Sequence, residues 1–150
     1  MEIERKIILT SLPDEVPVHR STVEQIYISL NPEVRLRKNL DSDVQFRLTV
    51  KGDGTLCREE IETPVTEEFY NEMVRFIGKP PIIKDYYIYH LNGHKVEVSI
   101  VDNGTFIYSE VEFDSVEEAE AFVWPFEGYD ATEDPQYKMK NYWKRTRENI

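Results

Sequence analysis

Glu2-Ile3-Glu4-Arg5-Lys6 opens the chain with two carboxylates and an ammonium at every second position. Side chains alternate faces along a strand, so Glu2, Glu4 and Lys6 share one face while Ile3 and Arg5 take the other. Two like charges about 7 Å apart on one face cost energy unless a counter-ion lies between them, and carboxylate oxygens suit a hard divalent cation. The spacing recurs at Glu60 and Glu62 and at Glu110 and Glu112, with Arg35 and Arg37 as its cationic counterpart. Adjacent like charges make a poor solvated surface, but they suit a Mg²⁺ ion on one side and a polyphosphate on the other.

The elements that must hold these pairs follow from period-two alternation. Strands are expected over roughly 1–10, 22–30, 33–38, 44–51, the stretch carrying Arg58, Glu60 and Glu62 up to Pro64, 82–90, 95–101 and 105–113. Gly52-Asp53-Gly54, Asn92-Gly93 and Asn103-Gly104 are hairpin turns. Thr66 caps a helix over 67–77 with an apolar stripe of Phe69, Met73, Phe76 and Ile77. Ser115-Val116-Glu117-Glu118 is a capping box for a helix running to about Val123. A polar helix near 133–147, carrying Tyr142 and Trp143, is expected to pack on an outer wall in preference to folding over a mouth.

Eight strands joined mainly by tight turns favour an antiparallel sheet closed on itself, in an α+β, mainly β, class. An ordinary small barrel would turn the apolar face of each strand inward and leave the charges to water. An everted one would cover its apolar face with the helices and line a water-filled bore with charge. The like-charge pairs favour the second arrangement, with Arg47, Lys84 and Glu97 on the same face as the pairs. Such a bore is a clamp for a metal-bound triphosphate.

With 40% hydrophobic residues among 150, the chain has the material for one domain spanning 1–150. Its apolar runs are short and nothing resembles a secretory leader, so neither membrane insertion nor export is expected, and the cytoplasm is the default. The single Cys57 forms no internal disulfide and is read as a structural thiol. A net charge of −11 argues against a nucleic-acid polymer as partner. Many acids crowd the helices while bases sit in strands, and screening confines each field to about 8–10 Å, so a small anionic ligand is compatible with the balance. His90 and His94 flank a turn without a third ligand, and His19 is placed in a connection.

Six ordered stretches then carry a resemblance. Glu2-Ile3-Glu4-Arg5-Lys6, Val34-Arg35-Leu36-Arg37, Leu48-Thr49-Val50-Lys51, Arg58-Glu59-Glu60-Ile61-Glu62, Ser109-Glu110-Val111-Glu112-Phe113 and the segment from Asp130 to Lys138 resemble the CYTH, or triphosphate tunnel metalloenzyme, superfamily. The resemblance implies an eight-stranded antiparallel tunnel and a hydrolase of triphosphates dependent on Mg²⁺ or Mn²⁺. Inorganic tripolyphosphate is the first expected substrate. Adenylate cyclisation, thiamine triphosphate hydrolysis and a non-catalytic nucleotide- or polyphosphate-binding module are the alternatives. Carried over by position, Glu2, Glu4, Glu110 and Glu112 would hold the metal. Lys6, Arg35, Arg37, Lys51, Arg58 and Lys84 would hold phosphate oxygens, with Glu60, Glu62 and Glu97 as supporting carboxylates. Lys6 would also orient or deprotonate the attacking water. The chain is expected to act as a monomer or homodimer. Two positions depart from the family pattern: Tyr86 stands where an arginine is usual, and Ser99 where a metal-serving aspartate is usual. Both remove charge from the bore and point to weaker activity, altered substrate choice or binding without turnover.

Overall fold

The computed structural model describes residues 1–148, and the last two positions of the expected 1–150 domain lie outside the described residues. Its strands are β1 (Glu2–Leu9), β2 (His19–Leu30), β3 (Glu33–Lys38), β4 (Phe46–Lys51), β5 (Cys57–Arg58), β6 (Glu60–Pro64), β7 (Ile82–Leu91), β8 (His94–Val101), β9 (Phe106–Glu112) and β10 (Tyr129–Asp130). The helices are α1 (Glu67–Ile77), α2 (Val116–Ala121) and α3 (Met139–Arg147), the last preceded by a 3₁₀ turn at Pro135–Tyr137. No helix among the described residues is long and apolar enough to cross a membrane.

Hydrogen-bonded neighbours run β10-β1-β9-β8-β7-β2-β3-β4-β6, and β5 pairs with β1 through Glu2↔Arg58 and Ile3↔Cys57. β5 and β6 are two halves of one strand interrupted at Glu59. One half joins β4 and the other joins β1, which brings the sheet nearly round into a barrel with a seam. Counted this way there are nine strands rather than the expected eight: eight around the barrel and β10 beside β1. The edge of β1 that β9 leaves free is shared, with β5 at its start and β10 at Ile7 and Ile8. A strand of two residues has too little alternation to be read from sequence.

Residues directly opposite each other in a ladder share a face, so the register sorts inside from outside. Arg37 pairs with Arg47, Arg35 with Thr49 and Thr49 with Glu62, while across the barrel Glu4 pairs with Glu112 and Glu97 with Glu110. The intervening apolar residues face outward. Ile26, Leu36 and Phe46 pack under α1, where Phe46 and Tyr70 meet at 5.4 Å between ring centroids. Ile7, Val96, Val98 and Val111 pack with Ala119 of α2. The barrel is everted, with charge inside and α1 and α2 outside, the arrangement that the like-charge pairs favoured.

Arg5 shows what the outward face of β1 does. Its Nη1 donates to the carbonyls of Ala119 and Phe122, each at 2.8 Å, and its other nitrogen pairs with Asp130. One guanidinium thus ties α2 and β10 to the strand that carries Glu4 and Lys6. α2 ends at Ala121, short of Val123.

α3 is the main difference from expectation. It begins at Met139 rather than near 133, and it packs on inward-facing residues, not on the outer wall. Register places Tyr27, Ile82, Val101, Phe106 and Tyr108 on the inner face at one end of the barrel. Trp143 meets Tyr27 at 5.8 Å and Tyr142 meets Phe106 at 5.3 Å, with Met139 buried beside them. α3 therefore stoppers that end. Burying a large apolar side chain contributes about 1.5–3 kcal/mol, so three of them hold an otherwise polar helix.

Asp102 in the β8–β9 turn anchors the stopper. It accepts from Tyr142 Oη at 2.6 Å, Arg147 Nη1 at 2.9 Å and the Ile83 amide at 2.9 Å. Burial alone would raise its pKa, but the bonds from Arg147 and Tyr142 outweigh burial and hold it below the usual carboxylate value. A depressed carboxylate contributes stability above its unfolded pKa, about 4, and loses it as pH falls through the folded value. Asp102→Asn is expected to lower stability at pH 7 by about 1–3 kcal/mol. It should also reduce the difference between urea midpoints at pH 7 and pH 3, and an unchanged difference counts against this role.

Candidate functional site

The stoppered barrel encloses a cavity of about 610 Å³. Of the fourteen charged residues singled out by alternation, all but Lys84 line it. Lys84 shares the inner face with its ladder partners Val23 and Val101 but is 2% exposed, with its Nζ 5.2 Å from the Tyr108 ring centroid. Lys6 stands 4.7 Å from the same ring, so one buried aromatic is approached by two ammonium groups.

The carboxylates divide unevenly. Glu2, Glu4 and Glu112 converge, with one oxygen of each within 4.8 Å of the others. Glu110 stands outside this group, hydrogen-bonded to Glu4 and 3.8 Å from Lys6 Nζ. Glu60 hydrogen-bonds Glu2, Glu62 pairs with Arg47 at 3.1 Å, and Glu97 accepts from Tyr86 Oη at 2.7 Å.

Protons offset part of this crowding. Burial and then the Glu110 charge push Glu4 well above the usual range. Burial alone would raise Glu110, but the Lys6 charge and the bond from Glu4 hold it low. The same division holds next door: burial and the bond to Glu2 push Glu60 up to about 8, while that bond and Lys51 hold Glu2 down against its burial. Glu4–Glu110 and Glu2–Glu60 each share a proton where bare carboxylates would repel. An all-oxygen, carboxylate-only donor set of this kind fits Mg²⁺ or Mn²⁺.

The cations divide too. Lys51 pairs with Glu2 at 3.1 Å, Arg58 with Glu33 at 3.1 Å, and Lys6 Nζ donates to the Tyr137 carbonyl at 2.9 Å. Arg35, Arg37 and Lys84 have no carboxylate within 4.0 Å among the described residues, and the Nε atoms of both arginines are buried without a partner. Burial, then Arg37 and Arg35, push the Lys84 amine well below its usual pKa. Three clustered cations without counter-charge make a receptor for a multiply charged anion.

Several wall residues were not singled out from sequence. His19 lies in β2 and lines the cavity, not in a connection. Glu33 shares the parity of Arg35 and Arg37, and Tyr108 that of Glu110, so alternation held the signal for both. Thr132 and Lys138 fall in the Asp130 to Lys138 stretch that carried the resemblance, but no site role was read for either. They arrive with the segment beside the seam, where Thr132 Oγ1 accepts from the Lys6 amide at 3.0 Å and Lys138 Nζ donates to the Gly54 carbonyl at 2.6 Å.

No protein-family model and no curated protein matches the chain. Solved structures do. The inorganic triphosphatase NE1496 is 28% identical, with 95% of this chain and 93% of that one covered and a TM-score of 0.66; a second structure of NE1496 has a TM-score of 0.65. A conserved hypothetical protein of Pyrococcus furiosus and a protein of Pyrococcus horikoshii share the fold. Each is 23% identical over 80% of this chain and 84% of its own, with TM-scores of 0.56 and 0.55.

Proposed function

Because the chain belongs to the triphosphate tunnel metalloenzyme, or CYTH, superfamily, we propose that it is a divalent-metal-dependent triphosphatase that hydrolyses inorganic tripolyphosphate by in-line attack of water. One observation carries this reading: a three-carboxylate group lines the same cavity as Arg35 and Arg37, two cations without a counter-charge, with the equally unpaired Lys84 behind them. Each set lacks the charge that a metal–triphosphate complex would bring.

Glu2, Glu4 and Glu112 would hold Mg²⁺ or Mn²⁺, with Glu110 beside them. The bound ion would neutralise charge on the phosphate oxygens. Arg35, Arg37 and Lys84, with Lys51 and Arg58 freed from their internal pairs, bind and orient the phosphates. Lys6, steadied by the Tyr137 carbonyl and Glu110, orients the water. Positioning and charge neutralisation then supply most of the catalysis. On this reading residues 1–150 act as one cytoplasmic domain, monomeric or dimeric, with a small anionic triphosphate and no nucleic-acid polymer as partner.

Phosphate release from tripolyphosphate, ATP and thiamine triphosphate, each with Mg²⁺, Mn²⁺ or chelator, tests the proposal. Metal-dependent release, fastest from tripolyphosphate, is expected. Fastest release from thiamine triphosphate, or cyclic nucleotide formed from ATP, would redirect the substrate assignment. Tyr86 and Ser99 favour a second reading, a non-catalytic nucleotide- or polyphosphate-binding module, which predicts tripolyphosphate binding without release from any of the three.

A further inference from the structure

Glu97 is a bore carboxylate that does not join the metal group. It lies directly across from Glu110 in the β8–β9 ladder, and its charge acts on Glu112. On position alone it would be a fourth ligand. Instead its Oε1 accepts from Tyr86 Oη at 2.7 Å and lies 3.4 Å from Lys95 Nζ, so both contacts draw it along the β7–β8 wall. Tyr86 reaches Glu97 diagonally, two residues from its own ladder partner, Ser99. A larger residue at 99 would stand directly opposite Tyr86 on the same face and crowd its ring. Tyr86 and Ser99, the two departures from the family pattern, thus work together: one supplies the donor and the other leaves it room.

We infer that Tyr86 is a positioning residue which withholds Glu97 from the metal, so that Glu2, Glu4 and Glu112 present a site for a single divalent ion. This rests on the proposed metal-dependent reading. Removing the hydroxyl frees Glu97 to turn toward Glu110 and Glu112. The extra carboxylate then completes a second ion site or tightens the first, because ligand count and charge set the affinity of oxygen sites for hard cations.

The test is a Mn²⁺ titration of the whole protein, followed by electron paramagnetic resonance of the free ion, for wild type, Tyr86→Phe and the double variant Tyr86→Phe/Glu97→Gln. Thermal unfolding shows that each is folded. Wild type is expected to bind one ion. Tyr86→Phe is expected to bind a second, or to bind the first at least about fivefold more tightly, and the double variant to return to the wild-type isotherm. An unchanged or weakened isotherm in Tyr86→Phe overturns the inference, as does a gain that persists in the double variant, because it would not act through Glu97. Two ions in wild type overturn it as well. Wild type that binds no Mn²⁺, with or without tripolyphosphate, overturns the metal-dependent reading itself and so separates the two failures.

Discussion

Glu4→Gln is expected to lower metal-dependent phosphate release from tripolyphosphate by about a thousandfold or more, with little change in stability. Glu4 occupies the junction of the carboxylate set: it belongs to the group of three and hydrogen-bonds Glu110. The amide keeps the shape and removes the charge that a divalent ion needs. It costs the metal-free fold little, because burial and the Glu110 charge already favour the protonated form of Glu4 and the amide can donate the same bond. Stability should therefore change by less than about 1 kcal/mol. The measurement is initial phosphate release at saturating substrate and metal, beside a thermal unfolding curve. Release that persists in folded Glu4→Gln protein would remove this carboxylate from the metal-binding reading.

The second large effect runs in opposite directions for stability and binding. Lys84→Met is expected to stabilise the free protein by about 1–3 kcal/mol, because an apolar side chain of similar length replaces a buried cation without a counter-charge. It is also expected to weaken tripolyphosphate binding by about 10–100-fold, the worth of one charge-assisted contact. A pH dependence separates this from a packing effect. Burial and the Arg37 and Arg35 charges push Lys84 down in the folded state, so the unfolded chain binds more protons than the folded one between the folded value and the unfolded one of about 10.4. Wild-type stability gains a rising contribution with pH across that window, and Lys84→Met lacks it. The advantage of the variant should shrink between pH 7 and pH 10 in denaturant titrations. A constant advantage would assign the effect to packing, and a destabilised variant would mean that Lys84 has a counter-charge after all.

The opposition reflects how the site is built. A cavity that receives a polyanion must keep its cations apart from internal carboxylates, and their mutual repulsion is a standing cost to the unliganded fold. Arg35, Arg37 and Lys84 bear this cost, whereas Lys51 and Arg58 avoid it by pairing with Glu2 and Glu33. The anchoring of α3 by Asp102 and of α2 and β10 by Arg5 lies outside this conflict and keeps the barrel together around it.

Alternation alone determined which face each charged residue takes. A strand has a period of two whatever it pairs with, so Glu2, Glu4, Lys6, Arg35, Arg37 and Lys51 were on one side of their strands before any partner was known. The like-charge pairs further favoured that side as the inside. Tertiary structure decided what local spacing does not encode. The register of the β1–β9 ladder selects Glu112, not Glu110, to join Glu2 and Glu4, because it sets Glu112 opposite Glu4 and Glu110 opposite Lys6, a pairing between strands far apart in the chain. A bond from one strand to the next turns Glu97 aside toward Tyr86. β10 exists only because β1 has an edge to fill, and α3 stoppers the bore because five inward-facing side chains from four strands gather there. Each of these depends on residues far apart in the chain, whereas the period-two pattern needs only neighbours.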